Sequence, residues 1–101
     1  MNMQQMVQAM QKLQRQYEKE HKLLEEKEFT YTANDAVKVT LKGNLEMVDV
    51  EILDDELLSE KDDLIEMIKL AYNGCKDQIN DAEEELAAKF QQSNRMGGFP
   101  F

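Results

Sequence analysis

The chain has 101 residues, 42% hydrophobic and 33% charged, with a formal net charge of −9, one proline and four glycines. Such a length suits one domain with one modest core, and so few prolines and glycines leave little room for linkers. A single cysteine excludes an intramolecular disulfide and suits a reducing cytosolic compartment; the amino terminus lacks a signal-peptide pattern, and no apolar run is long enough to span a membrane.

Met3, Met6, Met10, Leu13, Tyr17 and Leu24 recur at helical spacing, which predicts a helix over residues 1–27 built from good helix formers. That segment holds five basic and four acidic side chains, whereas the rest of the chain holds seven and seventeen, so the acidity belongs to the later elements. At Phe29 the period changes to two. Phe29, Tyr31 and Ala33 form a first strand that ends in the Asn34-Asp35 turn pair, and Val37, Val39 and Leu41 form a second. Gly43, in Lys42-Gly43-Asn44, is expected to supply the positive φ of a tight hairpin.

Val48, Val50 and Ile52 alternate with Asp49 and Glu51 in a third strand, and the parity change at Met47 predicts a bulge. The sheet therefore covers residues 28–53 and is an antiparallel meander. Ser59 is the expected cap of a second helix over residues 59–92, with Asp62, Asp63 and Glu66 favourably placed near its positive end. Its stripe runs Ile65, Ile68, Tyr72, Cys75, Ile79, Ala82 and Leu86. Residues 93–101, which contain Gly97, Gly98 and Pro100, read as an irregular tail. The class is α+β: a long N-terminal helix, a three-stranded antiparallel sheet and a long C-terminal helix.

Helices of about 37 and 48 Å outrun a sheet of about 15 by 20 Å, so both apolar stripes overhang. They must cover each other or be covered by a second copy. A homodimer is the favoured solution, with Met3, Met6, Met10, Leu13, Tyr17, Ile79 and Leu86 as its interface. The methionines suit an irregular interface and an ordinary core equally well.

No catalytic set is legible. His21 would need Cys75 brought across from the other helix. Glu18 and His21 have the Glu-x-x-His spacing of a carboxylate-bridged metal bundle, but Glu18 lies off the apolar stripe, so a solvated pair is expected. Asp54-Asp55-Glu56 and Glu83-Glu84-Glu85 lack the alternation and glycine of a calcium loop. Neither a metal nor a cofactor is expected. Lys12, Arg15, Lys19 and Lys22, spaced three, four and three apart, line one helix face away from the stripe. That ridge either follows a nucleic-acid backbone or is a charged exterior paired with Glu18, Glu25 and Glu26.

The order of Val37-Lys38-Val39-Thr40-Leu41-Lys42-Gly43, Val50-Glu51-Ile52, Leu57-Leu58 and Asp62 through Ala71-Tyr72-Asn73 resembles the YbaB/EbfC family. The glutamine-rich first helix and the Gly-Gly-Phe-Pro-Phe ending fit it too. The resemblance implies a tweezer-like homodimer, without cofactor or enzymatic activity, that binds double-stranded DNA with little sequence preference. It also implies a place in the cytoplasmic nucleoid and a role in nucleoid organisation or gene regulation. The alternative is an acidic dimeric interaction module that binds no DNA and holds another protein through its methionine-rich arm ends and C-terminal tail.

Overall fold

The computed structural model describes residues 2–96, with side chains as far as Gln91. Helix α1 (Met3–Glu26) leads into strands β1 (Glu28–Ala33), β2 (Val37–Lys42) and β3 (Met47–Ile52). A 3-10 turn (Asp55–Ser59) then precedes helix α2 (Lys61–Met96). The sheet is antiparallel in the order β1-β2-β3, with Thr30 opposite Thr40 and Val39 opposite Val50.

Alternation along β2 places Val37, Val39 and Leu41 on the face that α2 covers, where all three are fully buried with Ala71, Cys75 and Ile79 of the helix. Burying each Val or Leu side chain there stabilises the fold by about 2 kcal/mol. The Cys75 thiol donates to the Val39 carbonyl at 3.1 Å. Burial pushes that thiol above its ordinary range, while the main-chain N–H groups of Tyr31 and Leu41 pull it down. Gly74 is the point of closest approach between α2 and β1: a Cβ there would lie 2.3 Å from the Tyr31 ring. The glycine costs helix propensity but admits the ring.

Several sequence expectations are corrected. Gly43 does not take a positive φ; that conformation falls on Leu45 (φ 73°), and at the first hairpin on Asn34 and Asp35. Gly43 is required for proximity instead, since a Cβ would lie 1.9 Å from the Leu24 carbonyl oxygen of α1. Ser59 does not cap α2. It lies in the 3-10 turn, where its hydroxyl donates to the Glu56 carbonyl, and the first bond of α2 runs from Leu64 N–H to the Glu60 carbonyl. The irregular tail does not begin at residue 93, because α2 runs through Met96. Residues 97–101 lie outside the described residues.

Pairing slips between Thr40 and Leu41, so that Thr40 faces Asp49 and Leu41 faces Met47, with Val48 as the extra residue. The slip returns Met47, Val50 and Ile52 to the core side of the sheet. Because α2 packs along β1 and β2, β3 stays largely uncovered: Met47 is 45% exposed and Val50 36%. The molecule measures 68 × 19 × 16 Å, with a radius of gyration of 19.6 Å against about 13 Å for a compact chain of this length.

Candidate nucleic-acid interface

The first turn of α1 is fixed by a capping box, in which Gln5 N–H donates to Asn2 Oδ1 at 2.8 Å and the Gln5 side chain accepts from Asn2 N–H. Its last turn is tied to the sheet. The β2–β3 turn donates Gly43 N–H to the Lys27 carbonyl at 2.9 Å and Asn44 N–H to the Glu25 carbonyl at 3.1 Å, which satisfies carbonyls that a helix end leaves unpaired. Leu24 packs against the core beside this tie, and Lys27 lies over the Phe29 ring. Beyond it, α1 runs alongside the distal half of α2 and contains no buried residue.

Lys12, Arg15, Lys19 and Lys22 are all exposed. Helical spacing puts them on the face opposite Leu13, Tyr17 and Leu24, which meet α2 or the core, although Lys19 also borders a groove with Lys89 and Phe90 of α2. The ridge extends over about 15 Å. The glutamates that could neutralise it have other partners or none: Glu20 holds Lys89 at 2.7 Å, Glu25 meets His21 Nδ1 at 3.1 Å, and Glu18 accepts from Gln14. Among the described residues, none of the four ridge bases pairs with a carboxylate.

The opposite face of α1 meets α2 through a polar and aromatic seam. The His21 ring stacks on Tyr17 with centroids 5.7 Å apart, Tyr17 meets Phe90 edge-on at 5.5 Å, and His21 Nε2 lies 3.8 Å from Glu83. Toward the arm tip a groove of about 320 Å³ opens among Met10, Leu13, Tyr17, Ala87 and Phe90. Of the expected interface residues, Leu13, Tyr17 and Leu86 are half-buried between the two helices, while Met3, Met6 and Met10 are exposed. Ile79 is corrected to an intramolecular role, being 1% exposed in the chain's own core.

His21 and Cys75 serve different regions, the arm seam and the sheet core. No group of side chains able to hold a metal ion occurs among the described residues, and no helix there is long and apolar enough to cross a membrane. Sequence reasoning missed the uncovered β3 face. Period-two alternation marked Val50 and Ile52 as inward, yet it carries no information on how far across the sheet a single helix reaches.

Residues 1–94 match the sequence profile of the YbaB/EbfC DNA-binding family. The chain is 34% identical over 88 residues to a nucleoid-associated protein of Malacoplasma penetrans, an alignment covering 85% of this chain and 93% of that protein. It is 30% identical over 92 residues to a nucleoid-associated protein of Clostridium acetobutylicum, covering 90% of this chain and 80% of the relative. The fold is similar to the crystal structure of an uncharacterized Helicobacter pylori protein, with a TM-score of 0.76 and 21% identity over 90% of this chain and 98% of that one.

Proposed function

Because the chain belongs to the YbaB/EbfC DNA-binding family, which is not a family of enzymes, we propose that it is a nucleoid-associated protein that grips duplex DNA along the outward basic face of α1. The observation that carries this reading is the unpaired, outward state of Lys12, Arg15, Lys19 and Lys22. Such a ridge neutralises phosphates and releases their counterions, a source of affinity that does not read sequence. The acidity of the remaining surface supports it as well. Residues 27–60 hold nine acidic and three basic side chains, so DNA is repelled from the base and confined to the ridge.

The protein works as a homodimer whose seam is the uncovered β3 face, where Met47, Val50 and Leu53 are exposed. A contiguous apolar surface of this kind is costly to leave in water, and a second copy supplies the matching one. The dimer then carries two ridges. Val50→Glu places a charge within the seam and yields monomers in sedimentation; a variant that stays dimeric locates the seam elsewhere.

Fluorescence anisotropy with duplex DNA across a salt series tests the ridge. Eight phosphate contacts per dimer give a slope of log affinity against log salt of about −7. Replacing Lys12, Arg15, Lys19 and Lys22 with glutamine abolishes salt-dependent binding without lowering thermal stability, and unchanged binding refutes the assignment. The rival reading, an acidic dimeric interaction module without DNA binding, draws on the net charge of −9; a complete lack of binding at low salt selects it.

A further inference from the structure

The tip of α1 stands out for its lack of charge. Residues 1–11 contain no charged side chain, in a chain where one residue in three is charged. Within this stretch Met3, Met6, Val7 and Met10 fall on one side of the helix and are exposed, Met3 by 81% and Met10 by 40%. The capping box starts the helix at Met3, so the stripe is held in register. It also continues the groove formed with Ala87 and Phe90, whose lining carries no charged side chain among the described residues. We infer that this uncharged tip docks onto the same tip of a second molecule, joining two base-linked dimers arm to arm.

The choice of partner follows from charge. Two copies of this chain carry net negative charge over most of their described surface, and the tip is one region where they approach without charge repulsion. Flexible thioethers accommodate a self-complementary helix contact, and a two-fold arrangement closes it. The contact is small and weak in free solution, but molecules aligned on one duplex by their ridges meet at high effective concentration. Its consequence, that one assembly holds two duplexes, rests on the DNA reading above; the contact itself does not.

Sedimentation velocity of the full chain, without DNA, tests the contact directly. Across a micromolar to millimolar series the protein shows a species of twice the mass of its basic unit, growing with concentration. Met6→Glu with Met10→Glu removes that species, whereas Gln8→Glu with Gln11→Glu, the same added charge away from the methionine stripe, leaves it. Val50→Glu still associates through its tips. A wild type confined to one species at every concentration overturns the inference, as does association surviving the methionine variant or lost equally in the glutamine control. Circular dichroism confirms that both double variants keep the wild-type helix content. Because no DNA is present, failure here is distinct from failure of the ridge.

Discussion

The base and the arm of this molecule are built by opposite rules. In the base, six residues of β2 bury three side chains completely beneath α2. In the arm, the 24 residues of α1 bury none, and its contacts with α2 include His21 beside Glu83, an edge-on ring pair and an exposed ion pair. Folding free energy is therefore concentrated in the base, and the arm devotes its surface to exposed charge and exposed methionine. A small protein can keep an extended working surface only if a separate part supplies its stability.

Perturbations should obey that division. Leu41→Ala opens a cavity under α2 and is expected to cost about 3 kcal/mol in urea denaturation, the largest of the expected losses. Gly43→Ala strikes the boundary between the two regions. Its Cβ must displace the Leu24 carbonyl from 1.9 Å, so a loss of about 2 kcal/mol is expected, together with faster amide exchange at the C-terminal end of α1. If exchange accelerates in the sheet and not in α1, the arm is not anchored through this turn. Glu20→Gln removes an exposed ion pair of the arm and should change stability by no more than about 0.5 kcal/mol. A loss as large as that of Leu41→Ala would erase the contrast.

The elements were legible in the sequence because each follows from a period. Spacing of three and four marked both helices, alternation marked the strands, and the parity change at Met47 announced the slip that leaves Val48 as the extra residue. What periods do not encode was misread. Ser59 looked like a cap because capping residues also favour tight turns, and here the 3-10 turn claimed it. Gly43 and Gly74 serve close approaches between segments distant in sequence, to Leu24 in one case and Tyr31 in the other, and nothing local distinguishes that from a turn glycine. Ile79 shares a stripe with Leu86, but the sheet ends between them, so one is core and the other faces the arm seam. For the ridge, the spacing of the four bases was visible from the start. Their lack of carboxylate partners required the geometry of α1 against α2, which draws Glu20 to Lys89 and leaves Glu25 with His21.

The tie between Gly43 and the end of α1 is also the point about which any swing of the arm would be levered. The arm beyond it is about 36 Å long, so each degree of rotation at the turn sweeps the far end through about 0.6 Å. A rotation of about five degrees, which side-chain rearrangement along the arm seam can absorb, moves the basic ridge sideways by an ångström or two and the methionine end by about 3 Å. On the proposed function, in which the ridge of α1 meets DNA, such leverage fits one base to duplexes whose groove widths differ.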